Sequence, residues 1–305
     1  MTKQNRLNEQ MEKTGKNVVA IGNFDGIHLG HQEIIKVAKK IATKNRTSLI
    51  LITFNPNPKI FFKRIEGMIL TDKQKSELIN SMNINRIEYL DFEKIYKLNG
   101  LDFVKNYLKK KYSMKYLVVG ENFKLGKGRE WNIKKLKEVQ NESGFSIIVV
   151  PSVKLNDEKI SSTKIRKYLA DGNLEKANMM LGREYCIEGE VVAGDEIGRK
   201  LGFPTINFLK RSILLPKGVF ETKTDIDGKL FNSITYVGGR PTLKISNTVI
   251  ETHIFNFSNN VYGKNAKVYF TRKLRDEIKF ESEKKLSKQI KKDIMGIKVD
   301  KKPLF

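Results

Sequence analysis

The feature that most constrains the fold is a four-residue apolar run, Val18-Val19-Ala20-Ile21, that ends in a glycine-broken turn and passes straight into a helical pattern. An unbroken apolar run of this length reads as a strand covered on both faces. From Glu33 to Ala42 the apolar residues recur at Ile34, Ile35, Val37, Ala38, Ile41 and Ala42, the spacing of a helix with one buried side. The unit then repeats. Leu49 to Phe54 is a second buried strand, closed by the turn signal Asn55-Pro56-Asn57-Pro58. Helical patterns over Asp72–Met82, Leu101–Lys111 and Ile133–Val139 alternate with strands at Ile87–Leu90, Tyr116–Val119 and Phe145–Val150. Strands joined through crossover helices predict a parallel α/β sheet with both faces covered. Such a sheet binds ligands at the carboxyl ends of its strands. The turns Gly22–His31, Asn55–Pro58 and Gly120–Arg129 all fall there.

The first turn reads Gly22-Asn23-Phe24-Asp25-Gly26-Ile27-His28-Leu29-Gly30-His31 and holds two of the three histidines in the chain. Both fall near a helix start, where free N–H groups and the positive dipole end favour an anion. Each imidazole can donate to a phosphoryl oxygen and stabilise charge that builds up during transfer. Taken alone, the pair reads equally as a helix cap without chemistry. Gly120-Glu121-Asn122-Phe123-Lys124-Leu125-Gly126-Lys127-Gly128-Arg129 mixes glycines, cations and a ring, which suits a loop touching both a phosphate and a planar group, or an ordinary flexible loop. Phe61 and Phe62 offer a flat apolar surface, although core packing accounts for at least one of them. Ile160-Ser161-Ser162-Thr163-Lys164-Ile165-Arg166 opens another helix. Its hydroxyls are N-cap residues first, but Lys164 and Arg166 stand where the dipole disfavours cations, a conflict that a bound phosphate relieves.

After Leu169–Leu181 and a hinge at Gly182-Arg183-Glu184 the pattern changes. Cys186–Val192, Val219–Thr224, Ser233–Val237, Val249–Phe257 and Ala266–Arg272 are short strands, with an Asp227-Gly228 hairpin signal. They predict a small antiparallel barrel, with a helix over Ser282–Ile297. The stretch Gly194-Asp195-Glu196-Ile197-Gly198-Arg199-Lys200-Leu201-Gly202-Phe203-Pro204-Thr205-Ile206-Asn207 combines three glycines with Arg199 and Lys200. It reads as a phosphate-binding loop or as a plain hairpin loop. Thr205 and Asn207, two apart on an extended segment, can point their oxygens to one side and share Mg²⁺ with ATP. Glu251 and His253 likewise share one face of a strand.

The chain of 305 residues suits two domains, and one cysteine, Cys186, excludes an internal disulfide. No run approaches the ~18–20 apolar residues of a membrane helix. The polar stretch Met1–Lys16 lacks the apolar core of a signal peptide and reads as a frayed leader, so a cytoplasmic location is the default. The net charge of +24 is spread along the chain without a helix-turn-helix, RNP or zinc-finger pattern, so no specific nucleic-acid partner is expected.

Several of these stretches resemble motifs of one family. Gly22–His31 is similar to the HxGH nucleotidyltransferase signature in the longer form found in prokaryotic bifunctional riboflavin kinase/FMN adenylyltransferases (FAD synthetases). Residues 160–166 look like its ISSTxIR motif, 120–126 its G-x-[DN]-F-x-F-G loop, 194–207 the flavokinase signature GDxxGRxLGFPTAN, and 238–242 its G-x-R-P-T loop. The resemblance runs from about Val18 to Ile297 and implies an HxGH adenylyltransferase domain, 1–182, and a β-barrel riboflavin kinase domain, 183–305. It implies riboflavin, FMN and ATP as substrates, FAD as product and Mg²⁺ as cofactor, with no membrane partner, and it leaves the oligomeric state open.

On the matching positions it implies His28, His31 and Arg166 as catalytic in adenylyl transfer, with Gly22, Phe24, Gly30, Ser161, Ser162 and Thr163 binding ATP. In the kinase it implies Glu251 as general base, Gly194, Gly198, Arg199, Gly202 and Thr205 on ATP, and Thr205 with Asn207 on the metal. Flavin contacts fall to Phe62, Asn122, Arg129, Arg240 and Thr242. The chain departs from the family at Asn57, where a histidine is frequent, and at Leu125, where a second aromatic is expected. These departures motivate an alternative, a riboflavin kinase with a degenerate adenylyltransferase domain. A second alternative is a basic nucleic-acid regulator that keeps the fold.

Overall fold

Five parallel strands carry the first unit of the structure, a computed structural model that describes residues 16–65, 67–194, 197–208, 213–239 and 248–297. They are β1 (Asn17–Ile21), β2 (Leu49–Asn55), β3 (Arg86–Asp91), β4 (Met114–Gly120) and β5 (Ser146–Val150), in the order β3-β2-β1-β4-β5. Every neighbouring pair is parallel. The chain leaves β1 toward β2 on one side and returns to β4 on the other, so a crevice opens at the carboxyl end of β1. Val18, Val19 and Ala20 have no exposed surface, as a doubly covered strand requires.

The first helix, α1 (Leu29–Lys44), buries Ile35, Ala38 and Ala42, three and four residues apart. There follow α2 (Pro58–Phe61), α3 (Asp72–Ser81) and α4 (Phe92–Ile95). The expected helix over 101–111 forms as residues 100–112, with a π-helical middle, Phe103–Lys109. It packs Phe103, Val104 and Leu108 on Val19, Ile21, Leu117 and Val119 together with Leu136 of α5 (Ile133–Val139).

The described residues fall into two compact units, one drawn from positions 1–66 and 72–161, the other from 67–71 and 162–305. In the second, α6 (Ser162–Ala170) and α7 (Leu174–Leu181) precede Gly182, whose φ of 70° gives α7 a left-handed stop. Six antiparallel strands then close a barrel: β6 (Tyr185–Val192), β7 (Ile206–Phe208), β8 (Gly218–Ile226), β9 (Lys229–Gly238), β10 (Val249–Ile254) and β11 (Asn265–Arg275), ordered β6-β7-β10-β9-β8-β11. The hairpin between β8 and β9 turns at Asp227 (φ 52°) and Gly228 (φ 78°), the two left-handed positions that an Asp-Gly pair serves. The short helices α2 and α4 were not expected, and neither was α8 (Ile197–Lys200), which forms inside the glycine-rich stretch. The last helix, α9 (Glu283–Met295), is capped by Ser282, and Arg275 of β11 donates to its Asp293 at 2.9 Å. Arg240, Thr242 and the leader up to residue 15 lie outside the described residues.

The barrel interior is not wholly apolar. Phe220, Val268 and Phe270 have no exposed surface, and neither do Thr224, Ser233, Thr235 and Thr252, while Thr222 has 2%. Their hydroxyls form one ladder: Thr224 to Ser233 at 2.8 Å, Ser233 to Thr222 at 2.8 Å, Thr222 to Thr235 at 2.8 Å and Thr235 to Thr252 at 2.9 Å. Each of these five hydroxyls has a partner, which offsets its loss of water.

Candidate active sites

The turn after β1 holds its shape through three left-handed residues, Phe24 (φ 44°), Gly26 (φ 89°) and Ile27 (φ 40°). Phe24 and Ile27 are non-glycine residues in a strained region, and both side chains are fully buried, which offsets the strain. Gln32 Nε2 donates to the Ile27 carbonyl at 2.9 Å, and Thr53 Oγ1 to the Asn23 carbonyl at 3.1 Å. His28 is the N-cap of α1, and its Nδ1 accepts from the His31 amide at 3.3 Å. An imidazole accepting at Nδ1 carries its proton on Nε2, which leaves that nitrogen as a donor. The His28 and His31 rings stack with centroids 3.6 Å apart, and Phe24 meets His31 edge-on at 5.3 Å. Gly30 permits this stack, because a Cβ there would stand 3.2 Å from the His28 ring. The two histidines are thus brought together as one imidazole surface at a helix N-terminus.

Beside Gly22 and Asn23 opens a cavity of about 560 Å³. Phe54, Phe62, Phe92 and Tyr96 give it an aromatic wall, and Asn122, Phe123 and Leu125 approach from the loop after β4. Phe61 stands behind that wall, 5.0 Å from Phe62 and 5.1 Å from Tyr96, as packing. Lys59, Arg64 and Arg129 also line the cavity. Asn57 is buried and caps α2, accepting from the Lys59 amide at 2.9 Å. Leu125 adds apolar surface but no ring. The loop after β4 is tied down by Glu121, which accepts from Ser152 Oγ and Lys159 Nζ, both at 2.6 Å. Those bonds hold its carboxyl down at about 2.

A buried lysine supports the same turn from below. Lys75 of α3 is 1% exposed, donates to Thr53 Oγ1 at 2.8 Å and lies 5.5 Å from the Tyr89 ring centre. Burial pushes its ammonium from 10.5 down to about 8, partly opposed by Asp72. Between those two values the unfolded chain binds the extra proton, so this group makes stability rise with pH across that window. The full difference corresponds to about 3 kcal/mol. Lys75→Met is therefore expected to gain stability relative to the parent most strongly near pH 7, with the advantage shrinking by about that amount toward pH 10.5. Urea midpoints of both proteins across pH check this, and a constant difference would reject it.

At the head of α6, Ser161 closes the first unit, and Ser162, Thr163 and Arg166 belong to the second. Arg166 donates to the Gly67 carbonyl at 3.4 Å and to the Ser162 carbonyl at 3.3 Å. Carbonyls thus meet part of the charge that the sequence left facing the helix dipole. Burial lowers this guanidinium to about 10.

The barrel builds its site on one outward face. Asn207 of β7 pairs directly with Glu251 of β10, which on its other side pairs with Tyr236 of β9. His253 follows Glu251 by two residues along β10, on the same side by the pleat, and Thr205 stands two residues before Asn207, just ahead of β7. His253 Nδ1 bonds the Pro204 carbonyl at 2.7 Å, and its ring meets Phe203 at 5.8 Å. The glycines make room for this face. A Cβ on Gly194 would lie 2.1 Å from Asn207 Nδ2, and one on Gly198 would lie 2.4 Å from the Phe203 carbonyl. Gly202, at φ 86°, turns the chain after α8, beside Arg199. Glu277 accepts from the Tyr236 hydroxyl and the Gly239 amide. Two side-chain oxygens, from Thr205 and Asn207, suit a magnesium ion that keeps nucleotide phosphates and water as its other ligands.

Lys59, Arg64, Phe92, Tyr96 and the Lys75–Thr53 link were not singled out from the sequence. The signal for the first four was the dense Phe/Lys/Arg run at 59–64 and two aromatics four apart at 92 and 96. Lys75 carried none, because its burial arises only from packing.

Residues 10–164 match the FAD synthetase family model and residues 181–299 match the riboflavin kinase model. The chain is 38% identical over 288 residues to a bifunctional riboflavin kinase/FMN adenylyltransferase of Buchnera aphidicola subsp. Schizaphis graminum, with 92% of each chain covered. It is 34% identical over 299 residues to the protein of that description from Bacillus subtilis, again with 92% of each covered. It is also similar to a crystal structure described as a macrolide-efflux protein from Streptococcus pneumoniae, with TM-score 0.81 and 31% identity over 92% of this chain and 93% of that one. That description names a transport role, whereas no described helix here is long and apolar enough to cross a membrane. Both domain models and the relatives that span nearly its whole length agree, and the chain belongs to the bifunctional riboflavin kinase/FMN adenylyltransferase family.

Proposed function

We propose that the chain converts riboflavin to FMN and FMN to FAD, consuming one ATP in each step. In the first, the riboflavin 5′-hydroxyl oxygen attacks the γ-phosphorus of ATP, the bond to ADP breaks, and Glu251 takes the hydroxyl proton. Gly194, Gly198, Arg199 and Gly202 cradle the nucleotide, and His253 holds the Pro204 turn beside Thr205. Thr205 and Asn207 would hold Mg²⁺, which supplies charge neutralisation on the phosphates when bound. Arg240 and Thr242 are assigned to the flavin of this site by their motif alone.

In the second step an FMN phosphate oxygen attacks the α-phosphorus of ATP and pyrophosphate leaves. His28 and His31 donate to phosphoryl oxygens as charge builds. Gly22, Phe24 and Gly30 shape the turn that presents them, while Ser161, Ser162, Thr163 and Arg166 are assigned to the triphosphate in the same step. FMN takes the cavity lined by Phe62, Asn122 and Arg129. The functional boundary is assigned after Gly182, giving an adenylyltransferase domain of 1–182 and a kinase domain of 183–305. The cytoplasm, which holds ATP, is the proposed location, and small molecules rather than nucleic acid are the proposed partners.

The observation that carries this reading is the pairing of Asn207 with Glu251 on one barrel face, in a chain that also stacks His28 on His31 at a helix N-terminus. These are two differently built phosphate sites. A kinase-only reading finds no support: Asn57 is used as a helix cap, and Leu125 still walls the cavity. Incubation of the protein with riboflavin, ATP and Mg²⁺, followed by chromatography, is the test. FMN is expected to rise and then give way to FAD with release of pyrophosphate. Accumulation of FMN with no FAD restores the kinase-only reading, and no FMN at all rejects both.

A further inference from the structure

The cavity beside the turn after β1 carries more positive charge than a flavin ring requires. Lys59 on α2, Arg64 just beyond it and Arg129 in the loop after β4 converge on it. Burial, Arg129 and Arg64 together hold the Lys59 ammonium below the usual lysine range. Among the described residues that line the cavity there is no aspartate or glutamate. Like charges gathered without a counter-ion oppose each other, and an anionic ligand relieves that opposition. The cluster also touches the aromatic wall, since the Arg64 guanidinium lies 5.4 Å from the centre of the Phe62 ring. Lys59 is fixed at the start of its helix, where Asn57 holds its amide. The site therefore offers a flat apolar surface and a cationic cluster to one ligand.

We infer that Lys59, flanked by Arg64 and Arg129, recognises the phosphate dianion of the acceptor flavin and is the residue that makes this site choose FMN over riboflavin. The inference rests on the reading that FMN occupies this cavity. A phosphomonoester carries about −1.5 to −2 charges at pH 7, which offsets at least half of the charge on Lys59, Arg64 and Arg129. Riboflavin offers the same ring and an uncharged hydroxyl, so it leaves the cations opposed to one another. Selection by charge lets the site take FMN while its unphosphorylated precursor is still present.

The test uses the full chain with ATP and Mg²⁺, and lumiflavin as a ring-only competitor that cannot be phosphorylated. FMN adenylylation is measured for the parent, Lys59→Met, Lys59→Arg and Phe62→Ala, with riboflavin kinase activity of the same samples reporting on folding. Lys59→Met is expected to raise KM for FMN about tenfold, leaving kcat, KM for ATP and inhibition by lumiflavin unchanged. Lys59→Arg is expected to restore KM for FMN, and Phe62→Ala to weaken FMN and lumiflavin alike. A rise in KM for ATP, weaker lumiflavin inhibition in Lys59→Met, or no change in KM for FMN overturns the role of Lys59. If Phe62→Ala also leaves FMN and lumiflavin unaffected, the placement of the flavin in this cavity falls with it.

Discussion

Glu251→Gln is expected to slow FMN formation by about 10²-fold or more and to leave FMN-to-FAD conversion intact. The magnitude follows from the chemistry. General bases contribute about 10²–10⁴-fold. Phosphoryl transfer passes through a loose transition state in which the nucleophile has lost little of its proton, so the lower end of that range applies. Glutamine preserves the size of the side chain and its place between Asn207 and Tyr236, so the barrel keeps its face. What is lost is the negative charge and with it the ability to take a proton. Each reaction is assayed separately, with riboflavin or FMN as the starting flavin. Equal losses in both would mean that the two steps share one site.

The converse result is expected at the imidazole pair. His31→Ala should lower FMN adenylylation by about 10²–10³-fold, the range for removing one preorganised donor to a developing charge. Riboflavin phosphorylation should stay at the parental rate. Part of the effect is structural, because the His28 stack and the Phe24 edge contact go with the ring, at a cost of about 1 kcal/mol. His28→Asn separates the two contributions. An asparagine oxygen can still accept the amide that Nδ1 accepts now, so the helix cap survives. If adenylylation in His28→Asn remains near the parental rate, His28 is a cap and the chemistry rests on His31 alone.

How much the sequence disclosed depended on whether a signal was local. The parallel sheet was legible because Val18–Ile21 and Leu49–Phe54 are unbroken apolar runs with helical patterns between them. The barrel was legible because its strands alternate and Asp227-Gly228 marks a hairpin. The motif turns identified themselves by glycine and histidine spacing. Lys59 did not, since one lysine among many carries no pattern, and only the cavity brings it beside Arg64 and Arg129. Asn57 read as a lost imidazole, while in the fold it caps α2. The short helix α8 was missed because three glycines within nine residues argue for a loop.

The hydroxyl ladder inside the barrel has a bearing on what stands outside it. Along β10 the side chains alternate, so Thr252 points inward because Glu251 and His253 point outward. Sliding that strand by a single residue would send a carboxylate into the core and take the Thr252 hydroxyl away from Thr235, a double penalty. The hidden Thr252 thereby acts as a ruler: its bond to Thr235 closes only in the alignment that turns Glu251 toward solvent.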